Sequence, residues 1–508
     1  MPVASPFSKR VNSMTKTEGA MIACAGFLAI AVLLEVFTLI TKVLSAAQGS
    51  NNGIPPYFMQ ASIAQTQFYD SLSVASPALM LMMLFSWVPL LPFWGRRQTV
   101  AFVPSTHPRR KETRSEMIIS LSLLGIAMIV GTFAAVSPYF THRGLLGIDT
   151  PSYYRQLESL KTSEDVASLL RSDWHPLYSL VLYFIKIITA WDSFQVIVAG
   201  PALLAALFAL ANYLLAKEVT ASHLTSGIAA LFAASWLHTT IGLFAGIYAN
   251  WLAMVFVVFF LFCFVRTLRD GGKLSVIGTI AFAYMTALSH IWTWAVLIAS
   301  LCLGSVLLVL DYLHKSETQR DHKAFKRLAA ILVVVTLPPL VLSLILPGFN
   351  GFLFSPGNTV YGIAEGMRLG RINQAWFLIS FTLAKYVGGL LAYPLAILLA
   401  IAGAIFLVRL SPRTSGLLLG WLIATSIVAV MLDSWYQWRV LYVIPFEIFA
   451  ASAMTGILGT LNRISNRSHI AMGSSVFLVK SLKVLMIILV ILDSVNYAMM
   501  AAANLPPS

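Results

Sequence analysis

Apolar residues along this chain come in runs of about 17 to 25, from near Met21 to near Met500, separated by short polar stretches that hold most of the charge. A run of that length, wound as a helix rising 1.5 Å per residue, crosses the roughly 30 Å of hydrocarbon in a bilayer. The strict alternation that a β-barrel wall requires is absent. The pattern therefore predicts an all-α, polytopic membrane helical bundle with about 13 transmembrane helices. The spans fall near residues 20–43, 72–94, 117–138, 194–215, 224–241, 247–265, 274–290, 292–311, 328–346, 388–408, 416–432, 439–459 and 482–500.

Composition narrows this further. With 58% hydrophobic residues, only 11% charged and a mean hydropathy of +0.81, an ordinary soluble protein is excluded. The net charge of +14 would suit a nucleic-acid partner if the basic residues formed a patch. They sit instead in short loops between spans, as membrane insertion requires, so no nucleic acid is expected. Cys24, Cys263 and Cys302 all fall inside apolar runs at unrelated spacings and make neither a disulfide framework nor a metal site. The first run, from about Ala20 to Leu44, follows Lys9, Arg10 and Lys16. It is longer than a signal-peptide core and contains Glu35, which favours a retained signal anchor.

Charge also sets the orientation. Residues 177–190 form one further apolar stretch, too short for a confident span, and the side on which everything after it falls depends on whether it crosses. If it does not, 24 of the 34 basic residues lie on the inner side and 10 on the outer. If it does, the basic loops after residues 265 and 311 land outside, against the positive-inside bias. The stretch is therefore read as a helix lying in the outer interface, with His175, Ser179, Tyr183 and Lys186 along one stripe and aliphatic or Phe side chains on the other faces. This places the N-terminus in the cytoplasm and the C-terminus outside.

Three segments follow from this order. Residues 1–116 hold an N-terminal transmembrane hairpin and a basic cytoplasmic loop. Residues 117–346 hold a transmembrane module with a long external loop, 139–193. Residues 347–508 hold a second external loop, to about residue 375, and the C-terminal helices. In the first external loop, Thr150 is placed to cap a helix opening with Pro151, and Thr162 or Ser163 to cap a second whose first turn holds Glu164 and Asp165. The sequence GIDTPSYY around Asp149, two short amphipathic helices and then HPLY at 175–178 resemble the first external loop of the GT-C superfamily of polyprenyl-phosphate-sugar glycosyltransferases, which includes protein O-mannosyltransferases and aminoarabinose transferases. The likeness is clearest over about residues 117–314.

That resemblance implies a transferase that takes a sugar from a polyprenyl- or dolichyl-phosphate donor and passes it to a hydroxyl of a lipid, glycan or protein acceptor on the outer face of the cell membrane. Such a reaction needs a carboxylate to orient and deprotonate the acceptor and cations to hold the leaving phosphate. Asp149 matches the family's acidic residue, with Tyr153 or Tyr154 standing for its downstream tyrosine, and Asp173 is the reserve carboxylate. His175-Pro176 approximates a Pro-bearing motif of the family. For the phosphate, Arg368, Arg371, Lys385 and Arg439 lie at or near outer ends of spans, where positive-inside bias does not account for them. Arg439 resembles an Arg that begins a late span in related enzymes. Lys385 sits in an apolar stretch where a lone charge costs about 2.5 to 3.5 kcal/mol near the bilayer centre, so it snorkels or pairs. His290 is placed at an outer turn, where lining the turn is favoured over phosphate contact. Glu35, Glu447 and Asp493 lie within spans and are expected to pair between helices, with partners that the sequence does not name. The loop HTTIGLFAGIYAN lacks a second acidic motif and SWYQWR is not a WWDYG block, so a metal-independent transfer of a single sugar with no cofactor is preferred over oligosaccharide transfer. A secondary transporter or lipid flippase is the alternative, and a non-catalytic assembly subunit a third reading.

Overall fold

The computed structural model describes residues 81–88, 114–140, 142, 144–172, 175–314, 321–345, 399–404, 412–431 and 442–467, with isolated positions between 484 and 498. The described residues are almost wholly helical. We label them α1 (Arg114–Val136), α2 (Thr150–Ser159), α3 (Ser163–Ser172), α4 (Pro176–Thr189), α5 (Ser193–Thr220), α6 (His223–Ser235), α7 (Leu237–Ala245), α8 (Tyr248–Asp270), α9 (Lys273–Ser289), α10 (Ile291–His314), α11 (His322–Ile345), α12 (Pro412–Met431) and α13 (Phe446–Arg467). A short 3-10 turn, Ser137–Phe140, follows α1. Five of these stretches are long and apolar enough to cross a membrane: Arg114–Phe140, Ser193–Thr220, His223–Ala245, Tyr248–Asp270 and Ile291–Leu313. The expected spans at 20–43 and 482–500, most of 388–408 and the loop beyond residue 346 lie outside the described residues or touch them only at isolated positions.

Burial ranks the spans. The apolar window of His223–Ala245 is 94% buried, against 28% for Arg114–Phe140, so α6 and α7 are the centre of the bundle and α1 its rim. Helices α1, α5 and α13 pack around α6, α8 packs on α5 and α9, and α10 pairs with α12. Small residues set how closely they approach. A Cβ on Gly131 of α1 would lie 2.9 Å from the Cβ of Ala205, and one on Gly304 of α10 would lie 3.0 Å from the Cα of Leu417. Since lipid tails are as apolar as leucine, close backbone approach and dispersion hold helices together here more than exclusion of water. One hydrophobic core runs from Met83 to Ala498, and the Trp87 indole donates to Ser426 Oγ at 2.9 Å, joining stretches far apart in sequence.

Helices α2, α3 and α4 form a layer at one end of the bundle. At 14 residues α4 is short of a full crossing. It buries Tyr178, Ser179 and Leu182 and leaves Phe184, Ile187 and Ile188 exposed. The cap of α3 falls on Thr162, whose hydroxyl accepts the Asp165 amide at 3.2 Å. The Asp165 carboxylate accepts the Lys161 amide, the Thr162 amide and the Thr162 hydroxyl in return, and these donors hold it below the usual carboxylate range. A second capping box, Asp192 with Gln195, opens α5. Between them, Lys186 of α4 reaches Glu158 of α2 at 3.4 Å and Ser193 of α5 at 2.7 Å, and Ser193 donates to Glu158, so one polar cluster ties the layer to the bundle.

Candidate functional site

Asp149 is held by its backbone. Gly147, at φ +96°, turns the chain so that the amides of Ile148 and Asp149 donate to the carbonyls of Phe244, at 3.3 Å, and Ala245, at 3.0 Å. Those carbonyls belong to the last turn of α7, which a helix leaves without intrahelical donors, and the loop supplies the missing bonds. Gly246 then reverses the chain into α8 at φ +69°. A Cβ there would lie 2.8 Å from Thr150 Oγ1 and 2.9 Å from the Asp149 amide nitrogen, so two backbones meet where a side chain would not fit.

Two side-chain bonds complete the seat. Thr150, fully buried, donates from Oγ1 to the Tyr248 hydroxyl at 3.1 Å, and the Ala249 amide donates to the Tyr153 hydroxyl at 3.2 Å. Thr150 therefore does not cap α2. Asp149 occupies the N-cap position at φ −93° and ψ −6°, Pro151 fills the first turn, and the Asp149 side chain makes no capping hydrogen bond. Asp149 itself is exposed.

The other candidates divide. Tyr153 is buried, its ring edge-on to Tyr178 at 5.0 Å and tilted against Tyr248 at 5.7 Å, and it anchors α2; Tyr154 is half-buried beside it. Burial pushes the Tyr178 hydroxyl well above the usual phenol range, which removes it as a base. His175 stands at the N-cap of α4 with its ring parallel to that of His290, centroids 6.0 Å apart. His290 ends α9 and organises the turn into α10: its Nδ1 lies 2.9 Å from Thr293 Oγ1, which donates to Asn250 Oδ1 at 2.6 Å. Asp149, Tyr153, His175 and His290 thus share one end of the bundle, linked through Tyr178, Tyr248 and Asn250. Asp173, Arg368, Arg371, Lys385 and Arg439 lie outside the described residues. Among the described residues no group of three His, Cys, Asp or Glu is placed to hold a metal ion, and Cys263 and Cys302 are free.

Deeper in the bundle the structure assembles a group that sequence reasoning did not. The stretch HTTIGLFAGIYAN, read as an external loop, is largely helical: α7 continues to Ala245, and only Gly246 and Ile247 separate it from α8. His238, 1% exposed, faces Glu447, 0% exposed, with Nδ1 2.6 Å from Oε1. Its Nε2–H donates to the Tyr442 carbonyl at 2.5 Å, and the Tyr442 hydroxyl donates back to the His238 carbonyl at 2.9 Å. Glu447, expected to pair between helices, has its partner named here. The legible signal was a lone histidine and a lone carboxylate, each in an apolar run and each costly to bury alone. No family model matches this chain, and no curated protein does.

Proposed function

We propose that this protein is an integral membrane glycosyltransferase of GT-C architecture that moves a sugar from a polyprenyl- or dolichyl-phosphate donor to an acceptor hydroxyl on the outer face of the membrane. The observation that supports this reading best is the seat of Asp149, an exposed carboxylate whose main chain is clamped to a helix end at the rim of a bundle of membrane-spanning helices. A clamped backbone limits where the carboxylate can go, and positioning is what a weak base needs most. In this scheme the lipid donor enters from the bilayer and the acceptor from water. Asp149 accepts the proton of the acceptor hydroxyl as the new glycosidic bond forms, and the lipid phosphate departs toward Arg368, Arg371, Lys385 and Arg439. The test is to incubate the purified protein in detergent with labelled polyprenyl-phosphate sugars, with chelator present, and follow donor consumption by the parent and by Asp149→Asn. Consumption that survives the chelator and disappears in the variant is expected; equal turnover by both would discard Asp149.

The second reading, a secondary transporter or lipid flippase, has one observation in its favour. The His238–Glu447 pair is buried beside a break between α6 and α7, and ionisable pairs at interrupted helices are a device of transporters. Donor uptake into proteoliposomes without cleavage of the sugar–phosphate bond would select it.

A further inference from the structure

We infer that His238 and Glu447 are positioning residues for Asp149, acting through α7 as a short rigid lever. The inference rests on the catalytic reading of Asp149 only for its effect on turnover; the mechanical link stands on geometry alone. Helix α7 is cut off from α6 at Trp236, whose backbone leaves the helical region at φ −100° and ψ −157°. The helical ladder is interrupted there, so α7 takes its direction from side-chain bonds, among them Thr239 Oγ1, which donates to the Ala233 carbonyl of α6 at 2.7 Å. Its near end is also held at His238, by Glu447 Oε1 and the Tyr442 carbonyl, together with the Tyr442 hydroxyl on the His238 carbonyl. Midway, Gly242 lies against Trp251 and Tyr442: a Cβ there would be 2.7 Å from Trp251 Cε3 and 3.0 Å from the Tyr442 hydroxyl. At the far end the carbonyls of Phe244 and Ala245 carry the amides of Ile148 and Asp149.

The lever is short enough to be stiff. Nine helical steps lead from Trp236 to Ala245, about 14 Å of helix, so a tilt of about 4° at Trp236 shifts the seat by about 1 Å. A displacement of that size is enough to cost about 100-fold in rate when a catalytic group depends on alignment. Glu447 and Tyr442 come from the segment that opens α13, some two hundred residues along the chain from the His238 they hold in α7. Through them the C-terminal part of the bundle is coupled to the external layer.

The experiment places nitroxide labels at Ile148→Cys, in the exposed part of the seat, and at Leu274→Cys, exposed near the start of α9, with Cys24, Cys263 and Cys302 replaced by alanine. The distribution of the distance between the labels is measured by pulsed EPR in the full-length protein. Glu447→Leu, and His238→Phe combined with Glu447→Leu, should each at least double its width, whereas Glu447→Gln, which keeps an acceptor for the His238 ring, should match the parent. Should the single Leu variant fail to fold, the double variant decides the question, because removing both partners leaves neither polar group stranded. A parent-like distribution in the folded double variant overturns the lever. In the turnover assay the same variants should lose about 100-fold in kcat with KM held, and Glu447→Gln should restore it. Failure of the catalytic reading looks different: Asp149→Asn would then turn over normally whatever the label distances do.

Discussion

The two ends of α7 present acidic groups bound in opposite ways. At its N-terminal end, Glu447 is held by its side chain, with Oε1 on the His238 ring and the carboxyl 0% exposed. At its C-terminal end, Asp149 is held by its main chain, and the residue is exposed. A carboxylate held through one of its own oxygens is part of the scaffold, because a reaction there would disturb the bond that holds it. One delivered by a fixed backbone has its position set by main-chain bonds made elsewhere. Burial and bonding pattern therefore separate a structural acid from a candidate catalytic one more sharply than residue type does.

The largest expected effect tests that separation directly. Asp149→Asn should lower turnover by about 100- to 10,000-fold, the range of general-base loss, with the melting midpoint in detergent unchanged. Glu447→Leu should differ in kind, costing about 3 to 5 kcal/mol of stability along with its loss of turnover, because the His238 ring loses its acceptor in a buried site. A denaturation series on the two variants checks the contrast, and equal stabilities would erase it. Gly147→Ala strikes the hinge of the seat: at φ +96° an alanine is strained, and its Cβ would fall 2.7 Å from Thr150 Oγ1 and 2.8 Å from the Leu243 carbonyl. A cost of about 1 to 3 kcal/mol is expected, with turnover reduced along with stability; an unaffected melt would show that the loop has another way to dock.

The smallest effect concerns how the layer of α2, α3 and α4 holds on. The Ser193 hydroxyl and Lys186 keep the Glu158 carboxyl below the usual carboxylate range. A lowered folded value means that this tie contributes fully at neutral pH and is lost as pH falls from about the ordinary 4.5 through the lowered value. The group is largely solvent-exposed, so the contribution is less than about 1 kcal/mol. Protection factors in α2, taken against the intrinsic exchange rate at each pH, should fall on acidification in the parent and be less dependent on pH in Glu158→Gln; identical profiles would remove Glu158 from the tie.

Much of this was written in the order of residues. The spans near 117–138, 194–215, 247–265 and 292–311 match helices long enough to cross, because twenty apolar residues in lipid have little choice but to bond internally as a helix. The short helices after Asp149 and Thr162 were legible from Pro151 and the acidic first turn, since capping is local chemistry. The charge of Asp149, and its place beside an apolar span, were likewise in the sequence. What only the tertiary structure decided was everything that depends on contact across the bundle. Thr150, read as a cap, turns inward to Tyr248, and Asp149 takes the cap position without capping, because the docking of Gly147 against Gly246 outweighs a local hydrogen bond. His238, inside the expected span 224–241, is buried because Glu447 and Tyr442 arrive from two hundred residues away to satisfy it. Local bonds of a helix or a cap are fixed by neighbours in sequence. A buried imidazole or a backbone-to-backbone seat draws its stability from partners that only the folded bundle brings within reach.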